Sequence, residues 1–300
     1  MNRGRLMEKP NIPFLNKCTI FQFIEEGFSD DEKWCVDHTY LLRISGHGNV
    51  QKLKKQAEII NEVHALDSHI PFVHEVGVVD EKAYMILDYI SGDNGEIALP
   101  LKNETEQYNI GSQVGKTLKR LHSVHAPASH QTWEETWRNR VERLATPFTE
   151  IVKENSHYEC VIPFIEHNLH LLKNRPNCVQ HYDFHPGNIL VEEDRFTGLI
   201  DMQKITYADP INEFYKMEYF NVPISRTYSK GVLDGYHDHQ PIPLSFWQLH
   251  RLYAAIHIIS AEVWGHEVAV KQRDKFQKYT RFTLDQFGDF KLLIPKWYNK

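Results

Sequence analysis

The stretch from His181 to Asp201 constrains the fold of this 300-residue chain more than any other. It places His181, Asp183 and Asn188 in the pattern His-x-Asp-x-x-x-x-Asn, and an apolar run then ends at Asp201. The apolar residues just after Asn188 are typical of a strand that leaves the loop, and those just before Asp201 of its hairpin partner. Such a hairpin returns Asp201 to the side of Asn188. We therefore expect two carboxylates and one amide to meet at one end of a short hairpin.

These three polar groups, in this order, are the ones that phosphoryl transfer from a nucleotide requires. One carboxylate accepts the proton of the acceptor hydroxyl, while an amide oxygen and a second carboxylate hold Mg²⁺ on the phosphates. An aspartate with an ordinary pKa near ~4 is ionised at neutral pH, so Asp183 could orient a hydroxyl and take its proton late. The hairpin thus predicts a phosphotransferase site.

The turn formers Ser91–Gly95 separate two differently patterned parts of the chain. Before them the pattern favours strands, together with one helix; after them it is mostly helical, and Gly111 and Gly115 would permit close helix packing. The strands are expected at residues 18–26, 33–37, 40–45, 72–79 and 82–90. The helices are expected at 49–66, 110–122 and 246–264, the last ended by Gly265. We expect a bilobal α+β fold, with a small β-rich N-lobe (1–94) and a larger, mainly helical C-lobe (95–300).

Composition excludes several classes of protein. A net charge of −6 argues against a nucleic-acid surface. No window approaches the ~18 apolar residues of a membrane span, and the first residues lack a secretory signal. The four cysteines form no C-x-x-C pair, which indicates reduced thiols in a cytosolic setting. We expect a cytoplasmic protein without nucleic-acid or membrane partners, and its oligomeric state stays open.

Several motifs together resemble the aminoglycoside phosphotransferase family, whose members share the protein-kinase-like fold with choline, fructosamine and homoserine kinases. They are the His181–Asn188 loop, Leu199-Ile200-Asp201, Tyr40–Ser45, the Gly111–His122 helix and Tyr207–Phe214. The resemblance implies an O-phosphotransferase that uses Mg²⁺ and ATP or GTP on a small hydroxyl-bearing molecule. An aminoglycoside or related antibiotic is the favoured acceptor, which would imply antibiotic resistance. The alternative is a metabolite kinase of the choline, fructosamine or homoserine type.

The resemblance also implies roles for individual residues in the loop and hairpin. Asp183 would be the catalytic base, Asn188 and Asp201 would bind Mg²⁺, and His181 would brace the loop by hydrogen bonds. Tyr182 stands where the family often has glycine.

In the N-lobe, the resemblance implies contacts with the nucleotide. Arg43 would contact the phosphates in place of a lysine, with Glu58 as its partner, because a guanidinium forks onto phosphate oxygens. The remaining contacts would come from the loop over the phosphates and from the hinge that meets the purine, through Gly27, Ser29, Tyr89 and Ile90.

The acceptor would lie in the C-lobe, where acidic side chains between Tyr207 and Glu218 and the stretch Gly235–His239 are candidates. Asp209 could equally cap a helix.

Two other classes of function remain open. A metal-dependent hydrolase would use His181, Asp183 and His185 as ligands, with help from His237, His239 or His257. A non-catalytic member of the kinase-like fold would act as a binding or sensor module, although such proteins usually lack the base or a metal ligand.

Overall fold

The computed structural model describes residues 9–25, 31–46, 49–127, 132–153 and 155–299. Its strands are β1 (Phe21–Phe23), β2 (Glu32–Val36), β3 (Tyr40–Ile44), β4 (Val73–Val79), β5 (Lys82–Asp88), β6 (Asp93–Asn94), β7 (Cys178–Gln180), β8 (Ile189–Glu192), β9 (Arg195–Leu199) and β10 (Thr206–Ala208). Its α-helices are α1 (Val50–His64), α2 (Gly95–Ala98), α3 (Glu104–Leu121), α4 (Trp133–Val152), α5 (Val161–Asn168), α6 (Arg226–Tyr236), α7 (Leu244–Glu267) and α8 (Arg273–Phe287). A 3₁₀ helix over Pro210–Lys216 runs into a π-helical turn over Met217–Asn221.

The first lobe is an antiparallel sheet of five strands in the order β1-β2-β3-β5-β4, with α1 packed beside it. Successive residues of a strand face opposite sides of the sheet. On β3, Leu42 and Ile44 are buried in a small core on one side, so Leu41 and Arg43 face the other. Leu41 packs against the core shared with the second lobe. Alternation along β3 thereby aims Arg43 at the cleft between the lobes.

The second lobe is mainly helical and holds two small sheets, β6-β8-β9 and β7-β10. The helices α3 and α6 pack closely because Gly111 and Gly115 of α3 face the backbone of α6, as their spacing predicts. A Cβ atom on Gly115 would overlap the carbonyl oxygen of Val232. Among the described residues, no helix is long and apolar enough to cross a membrane.

One hydrophobic core joins the two lobes. It contains Ile60 and Val63 of α1, Leu87 of β5, and Ile110 and Val114 of α3. The predicted α+β architecture, with a β-rich first lobe and a helical second lobe, is confirmed.

Several details differ from the prediction. The helix predicted from residue 110 begins at Glu104, and the strand predicted at 18–26 covers Phe21–Phe23. Asp93 and Asn94, placed within the turn that ends the first lobe, pair with β8 of the second lobe.

Gly265 does not end α7, which continues to Glu267. A single glycine costs a helix only about 1 kcal/mol, and Gly265 lies buried against Phe276 of α8, where its small size suits the packing.

Candidate active site

The loop that follows β7 is fixed from both sides by buried polar groups. His181 is fully buried; its Nε2 donates to the carbonyl of Ile200 at 2.7 Å, and its Nδ1 accepts from the backbone N–H of Asp183 at 3.3 Å. The carboxylate of Glu213, also buried, accepts the backbone N–H groups of His181 and Tyr182 at 2.7 and 2.9 Å. These bonds hold the loop against the residue that precedes Asp201.

Asp183 forms ion pairs with two lysines. Its Oδ1 accepts from Lys216 Nζ, and its Oδ2 accepts from Lys204 Nζ at 2.8 Å. Burial opposes ionisation of this carboxyl, but the two ammonium groups outweigh it and hold the pKa of Asp183 well below its usual range. Asp183 is therefore a carboxylate throughout the physiological pH range.

The hairpin of β8 and β9 brings the backbone of Asn188 beside Ile200, the residue that precedes Asp201. The Asn188 carbonyl accepts from the Ile200 N–H at 2.9 Å, and Asn188 Nδ2 donates to the Asp183 carbonyl at 2.8 Å. The side chain of Asn188 makes its hydrogen bonds through Nδ2 among the described residues, so Oδ1 remains for a cation. The side chain of Asp201 is 33% exposed. The backbone of Asp201 is in the left-handed region, with φ at 63°. An amide oxygen and a carboxylate are hard donors that fit Mg²⁺.

Arg43 links the sheet of the first lobe to this hairpin. Its guanidinium donates to Asp31 Oδ2 at 2.5 Å and to Asp201 Oδ1 at 3.4 Å. The predicted pairing of Arg43 with Glu58 is wrong, because Glu58 is exposed on α1. A polar side chain of α1 that does reach the second lobe is that of Gln56, whose Nε2 donates to the Gln203 carbonyl at 2.7 Å.

The predicted hinge lies between β5 and β6. Tyr89 donates its backbone N–H to the Thr39 carbonyl at 2.9 Å, so a nucleotide base would have to meet its carbonyl or the Ile90 backbone. The side chain of Ile90 packs on Gly198 of β9. A Cβ atom on Gly198 would lie 2.6 Å from Cδ1 of Ile90. Gly27 and Ser29, predicted to cover the phosphates, lie outside the described residues.

The hydrolase alternative is not supported. Both ring nitrogens of His181 already bond backbone groups, and those of His185 contact the Gly187 N–H at 3.1 Å and Asn188 Nδ2 at 3.2 Å. Within the described ranges, no three His, Cys, Asp or Glu side chains are grouped so that they could hold a metal. A site of His181, Asp183 and His185 therefore does not form.

The acidic residues considered as acceptor contacts have structural roles. Asp209 caps the helix that begins at Pro210, with Oδ1 accepting from the Ile211 N–H at 3.0 Å, and it pairs with Arg175. Glu213 holds the loop, and Glu218 bonds His250 at 2.9 Å. All three carboxylates are at most 1% exposed, so they are not available to an acceptor.

Tyr182 adopts a backbone conformation in which glycine is the favoured residue. Its φ of 66° lies in the left-handed region that favours glycine. Tyr182 is held by Glu213 at its N–H and by Arg140 Nη1, which donates to its hydroxyl at 2.8 Å.

Comparison with known proteins agrees with this arrangement. The sequence profile of a family described as "Phosphotransferase enzyme family" (APH) matches residues 20–281. The chain belongs to this family. The resemblance stated above and the predicted enzyme class, a phosphotransferase, are thereby confirmed. A search of curated protein sequences finds no match.

Solved structures share the fold of this family member at low sequence identity. ADP-bound aminoglycoside phosphotransferase APH(2'')-Ib is 17% identical, with a TM-score of 0.63 over 90% of this chain and 94% of its own. A choline/ethanolamine kinase family protein from Mesorhizobium loti is 15% identical, with a TM-score of 0.63 over 96% and 93%. Spectinomycin phosphotransferase APH(9)-Ia, in complex with ADP and spectinomycin, is 16% identical, with a TM-score of 0.62 over 90% and 95%.

Sequence reasoning missed three charged residues of the site, Asp31, Lys204 and Lys216. It included Glu213 as an acceptor contact and missed its role in holding the loop. Lys204 follows Asp201 by three residues and could have been noticed. The others depend on packing between distant segments, and nothing in the local sequence marks them.

Proposed function

We propose that this phosphotransferase transfers the terminal phosphoryl group of ATP or GTP, with Mg²⁺, to a hydroxyl group of a small molecule. Residues 1–94 would bind the nucleotide, and residues 95–300 would supply the catalytic groups and the acceptor site. The cytoplasm, where ATP and GTP are abundant, is the expected location. The proposal is carried by one observation: a single hydrogen-bonded loop and hairpin hold Asp183, Asn188 and the residue before Asp201 together.

Each residue has a defined task in this proposal. Asp183 accepts a hydrogen bond from the acceptor hydroxyl and receives its proton as the oxygen–phosphorus bond forms and the bond to the leaving diphosphate breaks. Asn188 Oδ1 and the Asp201 carboxylate would hold Mg²⁺, which neutralises charge on the phosphates. His181 keeps the loop in place.

The nucleotide would lie between the lobes. Arg43 is on the cleft side of β3, within reach of Asp201, so its guanidinium is placed to contact phosphate oxygens. The backbone around Tyr89 and Ile90 would meet the purine. Gly27 and Ser29 would cover the phosphates.

The acceptor favoured by the sequence, an aminoglycoside or related antibiotic, competes with an ordinary metabolite. One observation favours the metabolite: Asp183 carries two lysines, and the acidic candidates between Tyr207 and Glu218 are buried and bonded. An aminoglycoside would bring several positive charges to this surface.

The test is a phosphoryl-transfer assay with ATP and GTP in parallel, with Mg²⁺ or with EDTA, over aminoglycosides, macrolides, sugars, hydroxy acids and choline-like alcohols. We expect Mg²⁺-dependent phosphorylation of at least one hydroxyl compound. Nucleotide binding without turnover of any acceptor would favour the non-catalytic alternative.

A further inference from the structure

We propose that the acceptor carries an acidic group, a carboxylate or a phosphate, beside the hydroxyl that is phosphorylated, and that Arg140 and Lys216 bind it. This inference rests on the proposed function and names the chemical class of its substrate.

Arg140 is a cation that forms no ion pair with the described carboxylates. It projects from α4, and its contacts within the described ranges are neutral: Nη1 donates to the Tyr182 hydroxyl at 2.8 Å, Nη2 donates to Ser260 Oγ at 3.3 Å, and the guanidinium lies 4.9 Å from the Trp137 ring. Among the residues that the structure describes, no carboxylate pairs with Arg140, and its Nε is buried without a hydrogen-bond partner. A half-buried guanidinium whose charge is balanced by no described carboxylate is available to a bound anion.

A second unsatisfied group lies close by. His257 of α7 is 8% exposed, and within the described part of the chain both its ring nitrogens are buried without a hydrogen-bond partner. Its ring lies 4.9 Å from that of Tyr215, whose hydroxyl donates to the Tyr182 carbonyl at 3.5 Å. Buried polar atoms normally find partners in a native protein or its ligands.

Lys216 connects these groups to the catalytic base. It follows Tyr215 in the chain, its ammonium lies 5.2 Å from the Tyr215 ring, and it bonds Asp183. Arg140, Tyr182, Tyr215, His257 and Lys216 thus form one continuous group, which we call the cationic cluster. The cluster begins at the residue beside Asp183, where the acceptor hydroxyl must sit.

The charges near this cluster favour a negatively charged substrate over a positively charged one. Glu213 is committed to the backbone of the loop, and Asp183 is already flanked by Lys204 and Lys216. An anionic group gains charge-assisted hydrogen bonds here, whereas a polycationic acceptor meets repulsion.

The transferred phosphoryl group is also an anion and is the other possible source of charge at this site. A change at Arg140 distinguishes these two anions, because Arg140 contacts Tyr182 and not Asp183. An effect confined to acid-bearing acceptors indicates the acceptor, and an equal effect on every acceptor indicates the phosphoryl group.

The experiment compares Arg140→Gln with Arg138→Gln, a matched change on the exposed face of the same helix, where Arg138 pairs with Glu134. Acceptors are tested as sets that share a hydroxyl: a hydroxy acid, its neutral amide, and an aminoglycoside. We expect the wild type to prefer the hydroxy acid, and Arg140→Gln to raise KM for it by roughly tenfold or more, with little change for the amide. Arg138→Gln should match the wild type.

The outcomes separate this inference from the proposed function. If another hydroxyl compound is phosphorylated but no acid-bearing compound is, or if Arg140→Gln affects all acceptors equally, the inference is overturned and the kinase proposal stands. If Mg²⁺-nucleotide does not bind at all, the proposed function fails, and the inference fails with it.

Discussion

Asp183 is a carboxylate whose chemistry is set by two lysines. Lys216 is 14% exposed and Lys204 is 58% exposed, so the buried lysine exerts the stronger and less screened field. A carboxylate held in its ionised form is a weak base in the ground state. It is well suited to orient a hydroxyl and to accept its proton only when the oxygen–phosphorus bond is largely formed.

Asp183→Asn should lower kcat by roughly 10²–10⁴-fold while KM for the nucleotide stays near its wild-type value, because the base is lost and the proposed Mg²⁺ ligands remain. Steady-state kinetics measure both constants. Asp194→Asn, an exposed change in the turn of the same hairpin, is the control and should be neutral. Turnover close to that of the wild type in Asp183→Asn would show that Asp183 is not the catalytic base.

Lys216→Met should shift the acid limb of the pH profile of kcat/KM upward. Burial raises the pKa of Asp183 and the two lysines lower it, so loss of one ammonium allows the pKa to rise. The base is then protonated at a higher pH than in the wild type, and activity falls earlier on acidification. An acid limb that stays in place, or moves to lower pH, would show that Lys216 does not control the charge of Asp183.

At the scale of elements, two contacts hold the site in position. The first is the interface of α3 and α6, where glycines on each helix face the backbone of the other. The second is Asp67, in the loop after α1, which accepts from His69 on its own loop and from Thr117 and Arg120 of α3. Both contacts fix α3, which also lies against β9, the strand that leads to Asp201.

Gly115→Ala should destabilise the protein by about 1–3 kcal/mol although alanine is the better helix former, because the added Cβ overlaps the backbone of α6. Lys116→Ala changes the next residue, which is exposed, and should alter the free energy of unfolding by less than about 0.5 kcal/mol. Urea unfolding of both variants measures the difference. A Gly115→Ala protein as stable as the Lys116→Ala control would mean that the helices are not this close.

Asp67→Asn should cost about 2 kcal/mol at neutral pH, because a buried carboxylate that accepts several hydrogen bonds is replaced by an amide. Burial raises the pKa of Asp67, but its hydrogen bonds to His69, Thr117 and Arg120 outweigh this and lower it. A lowered folded-state pKa gives stability that is present above the unfolded value near ~4 and is lost as pH falls below it. The free energies of unfolding of the wild type and Asp67→Asn should therefore be measured between pH 7 and pH 3. We expect the difference between them to become smaller in acid; a difference that does not change with pH would contradict this explanation.

Local patterns predict some elements of this protein well. The pattern of apolar residues is clear in strands β3, β4 and β5 and in helix α1. These elements begin and end within two residues of the predicted ranges. The hairpin of β8 and β9 was also predicted, because turn formers and apolar runs specify it locally. The end of α7 could not be predicted, because a glycine inside a helix is tolerated when a neighbouring helix packs against it.

At the scale of the whole molecule, the two lobes meet at Arg43 and Asp201 and through their shared core. The sequence indicated this architecture through the order of its motifs. It could not indicate that Arg43 pairs with Asp31 and not with Glu58, because that choice depends on which face of α1 turns toward the cleft. It could not indicate the two lysines on Asp183 either, since their approach is set by the turns after Asp201 and Asp209.

The central claim is that Asp201, with Asn188, binds the Mg²⁺ that holds a nucleotide beside Asp183. The most direct measurement is calorimetric binding of non-hydrolysable ATP and GTP analogues, with Mg²⁺ and with EDTA. We expect Mg²⁺-dependent binding by the wild type, Asp183→Asn and the Asp194→Asn control, and loss of at least roughly tenfold in affinity for Asp201→Asn. Binding by Asp201→Asn with the affinity and Mg²⁺ dependence of the wild type would contradict the account.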